Sequence, residues 1–143
     1  MALDNVTIHF EDISTFPVSS KQASLWLNQV CRDEGTRLTS LTIVLCDDEY
    51  LLDMNRNYLS HDYYTDILTF DTSEAETIEG DLFISIDRVK ENASTHQVSF
   101  ENELHRVMVH GLLHLLGYKD KGGQESKIMT AKENTYLSLL TNL

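Results

Sequence analysis

The chain has little positive charge: 11 lysines and arginines stand against 23 aspartates and glutamates, a formal net charge of −12. Proteins that coat nucleic acid usually present a basic face, so the overall balance argues against that class. No apolar run approaches the roughly 18–20 residues of a membrane-spanning helix, so no membrane partner is expected. The opening MALDNVTIHFED has neither a basic stretch nor an apolar core, and a signal peptide is not expected. Cysteine is scarce. Cys31 falls in an expected helix and Cys46 at the end of an expected strand, so both read as small buried hydrophobes rather than a disulfide or a metal pair. Together these absences lead to the expectation of a reducing cytoplasm. With one proline and six glycines, and no repeat or low-complexity tract, nothing divides the chain, so residues 1–143 read as one domain able to bury a core.

The charge is uneven. Segment 71–81, DTSEAETIEGD, holds five acids and no base. Segment 119–132 carries Lys119, Lys121, Lys127 and Lys132 against Asp120 and Glu125, which makes it locally basic or simply a solvated helix face.

The hydrophobic pattern gives the order of elements. VTIHF (6–10) alternates as a strand. Ser19 and Gln22 make a capping-box pattern ahead of Ala23, Trp26, Leu27, Val30 and Cys31 at helical spacing, ending near Gly35. LTIVLC (41–46) reads as a central strand. Asp47 or Asp48 can cap a helix carrying Leu51, Met54 and Tyr58. TDILTF (65–70) and DLFISI (81–86) are two further strands joined by the acidic segment. Asp87 is expected to cap a short helix to about Thr95, and Ser99 a long one over 100–116 stopped by Gly117. After Gly122–Gly123, a last helix buries Met129, Tyr136, Leu137 and Leu140. The result is an α+β arrangement: one small mixed sheet of about four strands packed with about five helices.

Chemistry concentrates in VMVHGLLHLLGYKD, 107–120. His110 and His114, four apart on a helix, project from one face, so two imidazoles can reach one ion at about 2.0–2.1 Å. Gly117 can take the left-handed conformation that ends the helix and turns Asp120 back towards them. The pattern H-x-x-x-H-x-x-G-x-x-D, with metzincin-like spacing, thus supplies three ligands and leaves a position open, as catalytic zinc sites do. Two histidines in so apolar a helix are also compatible with plain hydrogen bonding; the glycine and the acid favour the metal. His105 projects from the opposite side, and His9, His61 and His96 stand in other elements. In H-E-x-x-H peptidases the residue after the first histidine is the general base. Here it is Gly111, which disfavours peptide hydrolysis. RNA cleavage depends less on such a residue, because the 2′-hydroxyl is an alternative nucleophile.

At HGLLHLLGYKD the sequence resembles the YbeY family of bacterial endoribonucleases. N-x-x-Y-x-x-x-D-x-x-T-D-I-L-T-F (55–70) and GDLFIS (80–85) resemble two further motifs of that family. The resemblance implies an α+β fold with the metal at a cleft mouth. It implies a zinc-dependent, single-strand-specific endoribonuclease that matures the 3′ end of small-subunit ribosomal RNA and serves ribosome quality control. Single-stranded RNA, ribosomal RNA and the small ribosomal subunit would be its partners; DNA is not expected. The family's third ligand is histidine, in GYDH, where this chain has Asp120 after Lys119. Aspartate ligates zinc at about 2.0–2.2 Å but leaves the ion less electrophilic and admits harder divalent metals. The family's arginine is Leu59 here, with Arg56 and His61 nearby as substitutes. Asp66 and Arg56 are therefore the catalytic candidates, and Thr65 and Lys119 the candidates for substrate binding. A metallopeptidase or other metallohydrolase, and a non-catalytic ribosome-associated metal-binding protein, are the alternative readings.

Overall fold

The computed structural model describes residues 4–61, 64–74 and 76–143. The elements run β1 (Val6–Phe10), α1 (Ser20–Asp33), β2 (Arg37–Cys46), α2 (Asp48–Leu59), β3 (Ile67–Asp71), β4 (Thr77–Ser85), α3 (Ile86–His96), α4 (Phe100–Leu115) and α5 (Gly123–Thr141). The four strands form one mixed sheet in the order β1-β2-β4-β3. β1, β2 and β4 are parallel, and β3 runs antiparallel to β4. This is the α+β arrangement expected from the pattern.

Strand parity divides the sheet into two faces. Val6, Leu41, Ile43, Leu45, Leu82 and Ile84 point to the face covered by α1 and α4, and all are buried. Leu68, Phe70, Phe83 and Cys46 point the other way and meet α2. α4 crosses β3 and β4 closely at Gly111, where an added Cβ would stand 2.7 Å from Ile67 Cδ1 and 2.8 Å from Leu82 Cδ2. The missing general base therefore has a packing cause as well: position 111 faces the sheet, not solvent.

Most caps fall where the sequence puts them. Ser19, Asp47 and Ser99 accept from the amides of Gln22, Tyr50 and Asn102. α3 differs: its cap is Ser85, whose Oγ accepts from the Arg88 amide at 3.3 Å. Asp87 instead accepts from the Asp48 amide at 2.9 Å, tying α3 to the start of α2. β2 begins at Arg37 and β4 at Thr77, four residues earlier in each case than expected. These half-polar stretches pair with one another across the sheet, with a register shift between Leu38 and Ser40. Their extension thus depends on a partner remote in sequence.

Both cysteines are free and buried, and burial pushes each thiol up to about 12. Among the described residues no helix is long and apolar enough to cross a membrane.

Candidate metal centre

α4 carries His110 and His114 one turn apart, with ring centroids 4.5 Å apart and planes crossed at 81°. The helix ends as the glycine demands. Gly117 has φ +105°, its amide donates to the His114 carbonyl at 3.0 Å, and the Tyr118 amide donates to the Leu113 carbonyl at 3.0 Å. The chain reverses and brings Asp120 over the histidines. The Asp120 carbonyl accepts from the Gly122 amide at 3.0 Å and from Ser126 Oγ at 3.1 Å, which fixes the turn.

Three ligand-type atoms converge. His110 Nε2 and His114 Nε2 are 3.0 Å apart, and Asp120 Oδ2 lies 3.2 Å from the first and 3.5 Å from the second. Ligands bonded tetrahedrally at about 2.0–2.1 Å stand about 3.3 Å from one another, so this spacing suits one small ion. The protonation pattern points the same way. His110 Nδ1 donates to Glu133 Oε2 at 2.7 Å, and His114 Nδ1 donates to the Tyr118 carbonyl at 3.0 Å. With both Nδ1 atoms committed as donors, the neutral rings aim two Nε2 lone pairs and a carboxylate at one point. Such a cluster of acceptors suits a cation, whether a proton or a metal ion. Burial works against a charge on His110, but hydrogen bonding and attraction from Glu133, then Asp120 and Asp66, outweigh it and raise its pKa. Side-chain exposures of 21% for His110, 27% for His114 and 42% for Asp120 leave the centre open to a ligand from solvent.

Two acids behind the centre escape a reading of the sequence alone. Glu133 is 7% exposed on the buried stripe of α5, between Met129 and Tyr136. Burial alone would raise its pKa, but His110 and Arg106 more than offset that and hold it below the ordinary carboxylate value. A charged residue at an apolar register position was the available signal. Glu34, at the end of α1, accepts from Tyr118 Oη at 2.6 Å, from Lys132 Nζ at 2.9 Å and from Tyr136 Oη.

The other expected residues are placed as follows. Burial raises the Asp66 carboxyl above its ordinary value, against a lowering pull from His110 and a further upward push from Asp120. Thr65 is half-buried, its Oγ1 donating to the Ile67 carbonyl at 3.4 Å. Lys119 is exposed beside Asp120. Arg56 lies in the last turn of α2, 3.8 Å from Asp53, and Leu59 ends that helix 42% exposed. His61 follows α2, its amide donating to the Asn55 carbonyl at 3.1 Å. His105 packs edge-on against Trp26 at 5.5 Å, and burial lowers its pKa. Among the described residues the only group of three or more such side chains spaced to hold a metal is His110, His114 and Asp120.

The family model for "Endoribonuclease YbeY" matches residues 8–141. Proteins named endoribonuclease YbeY from Cytophaga hutchinsonii and Parabacteroides distasonis are similar. The first is 56% identical over 115 residues, 80% of each chain; the second is 44% identical over 135 residues, 94% of this chain and 95% of the other. The solution structure of TM1509 from Thermotoga maritima superposes with a TM-score of 0.65 at 27% identity, covering 94% of this chain and 88% of that one. With a matching model over nearly its whole length and relatives this close, the chain belongs to the YbeY endoribonuclease family.

Proposed function

We propose that this protein is a cytoplasmic, metal-dependent endoribonuclease, one catalytic domain over residues 1–143, with His110, His114 and Asp120 holding one zinc ion. Its substrate is single-stranded RNA: the 3′ end of small-subunit ribosomal RNA during maturation, and defective ribosomes in quality control. The small ribosomal subunit is its partner. The observation that carries the metal reading is the convergence of two Nε2 atoms and Asp120 Oδ2 within 3.5 Å of one another while both Nδ1 atoms are engaged elsewhere. The relatives' shared name, endoribonuclease YbeY, supports RNA as the substrate.

A bound divalent ion supplies Lewis acidity towards a phosphoryl oxygen and lowers the pKa of water. The chain's own groups supply the rest. Asp66, raised above the ordinary carboxylate value by burial, is the candidate to take a proton from the nucleophile, since a general base works best with a pKa nearer the working pH. Lys119 offers an exposed cation to the RNA backbone, and Thr65 is the second candidate for substrate binding. Arg56 gives a second cation one turn before Leu59, where the family carries arginine. The 2′-hydroxyl distinguishes RNA from DNA and provides an internal nucleophile.

The test compares wild type, His114→Ala and chelator-treated protein on single-stranded RNA, on DNA of the same sequence and on casein. RNA cleavage lost in both altered samples, with DNA and casein untouched, is expected. RNA cleavage that survives both the substitution and chelation overturns the reading, and casein hydrolysis replaces it with a peptidase.

A further inference from the structure

The geometry points to Glu133, held by Arg106, as the positioning residue that orients His110 for the metal. This inference rests on the proposed role of His110 as a ligand and adds a residue outside the ligand set.

A carboxylate on the buried stripe of α5 calls for a cause. Burying an unpaired carboxylate costs several kcal/mol even after relaxation, and Met129 and Tyr136 on either side show that this stripe can be apolar. Both oxygens of Glu133 are occupied. Oε1 accepts from Arg106 Nη1 at 2.8 Å and Oε2 from His110 Nδ1 at 2.7 Å. Arg106 is itself anchored, since its Nη2 donates to Asn134 Oδ1 at 2.8 Å. Arg106 and His110 lie four residues apart on α4, so one face of that helix presents a cation and an imidazole to the same acid.

Three effects follow for His110. The carboxylate accepts only from an N–H, so the neutral ring carries its proton on Nδ1 and leaves the Nε2 lone pair free. The fixed acceptor sets the ring's rotation, aiming Nε2 to within 3.2 Å of Asp120 Oδ2. The negative charge behind the ring makes Nε2 a better donor. Arg106 occupies the other oxygen, Oε1, and leaves Oε2 to His110. His114 is held differently, by the neutral carbonyl of Tyr118, so the two histidines are not equivalent.

A plain inter-helix ion pair would use the same contacts between Arg106 and Glu133, and the experiment separates the two. Zinc affinity is measured by chelator competition for wild type, Glu133→Gln, Glu133→Asp and Arg106→Met. The His110 tautomer is read from ring nitrogen shifts in metal-free protein above the imidazole titration. Glu133→Gln is expected to bind zinc about 10–100-fold more weakly, the range for loss of an outer-sphere partner, and to lose the preference for an Nδ1 proton. Glu133→Asp, which keeps the charge but withdraws it by one methylene, falls between, and serves if Glu133→Gln does not fold. Arg106→Met melts at a lower temperature but keeps zinc affinity within a few-fold of wild type. Wild-type zinc affinity and tautomer in a folded Glu133 variant overturn the inference. So does an Arg106→Met protein that loses zinc as severely as Glu133→Gln, because the pair is then a structural clamp. A wild type that binds no zinc fails at an earlier step: it overturns the metal reading itself, and the tautomer measurement shows whether Glu133 still governs the ring.

Discussion

Tyr118 and Glu34, 84 positions apart in sequence, are joined by a 2.6 Å hydrogen bond from the phenol to the carboxylate. The carbonyl of the same tyrosine accepts from His114 Nδ1. The end of α1 is thereby linked through one residue to the His114 imidazole, a proposed metal ligand. Tyr118→Phe removes the phenol donor and keeps the carbonyl. It is expected to lower stability by about 1 kcal/mol, the usual net worth of such a bond, with a smaller fall in zinc affinity than any Glu133 variant. Denaturant unfolding beside chelator competition checks both.

The Glu34 network also predicts a pH dependence. Burial alone would raise the Glu34 pKa, but Tyr118, Tyr136 and Lys132 lower it overall. A depressed folded-state pKa means that the ionised carboxylate contributes stability fully above its unfolded value of about 4.3 and loses that contribution as pH falls through the folded value. Glu34→Gln is therefore expected to cost stability at neutral pH, and the gap to wild type should narrow steadily below about pH 4.3. A gap that stays constant down to acid denaturation would contradict this.

Asp120→Ala should lose metal more completely than any outer-sphere variant, exceeding the roughly 10–100-fold of those changes. Asp120→His should retain it, since imidazole suits zinc as well as carboxylate does. Elemental analysis of the purified variants decides. Stoichiometric metal in Asp120→Ala would remove Asp120 from the ligand set.

Asp66→Asn keeps the shape and removes the titrating group. If Asp66 takes the proton, RNA cleavage falls by about 10²–10⁴-fold, the range for general acid–base catalysis, while zinc content is unchanged. Equal cleavage by both proteins would leave the base elsewhere.

Gly111→Ala tests the packing account of the missing glutamate. Ile67 and Leu82 must shift to admit even a methyl group, so a loss of about 1–3 kcal/mol is expected from overpacking. The measurement is thermal or denaturant unfolding against wild type, and an unchanged midpoint would show that the helix–sheet gap has slack.

Much of this was legible in the sequence because the signals were local. Ser19, Asp47 and Ser99 cap helices through amides three residues on, and the spacing of His110, His114, Gly117 and Asp120 acts within a single helix end. The parts that were not legible depend on remote partners. Arg37–Ser40 and Thr77–Gly80 are strands because they face each other, not because of their own pattern. Ser85 takes the cap from Asp87 because the end of β4 sets where α3 begins, and because Asp87 has the Asp48 amide to satisfy. Glu133 and Glu34 acquire their roles only when α5 packs against α4 and α1.

That packing has a consequence in time. Trp26 Nε1 donates to the Tyr136 carbonyl at 2.7 Å, fastening the final helix to the first. His110, His114 and Asp120 are all synthesised before Glu133, Lys132 and Tyr136. A nascent chain thus carries the three proposed ligands before it carries Glu133, and the His110 ring meets that acceptor only when α5 docks.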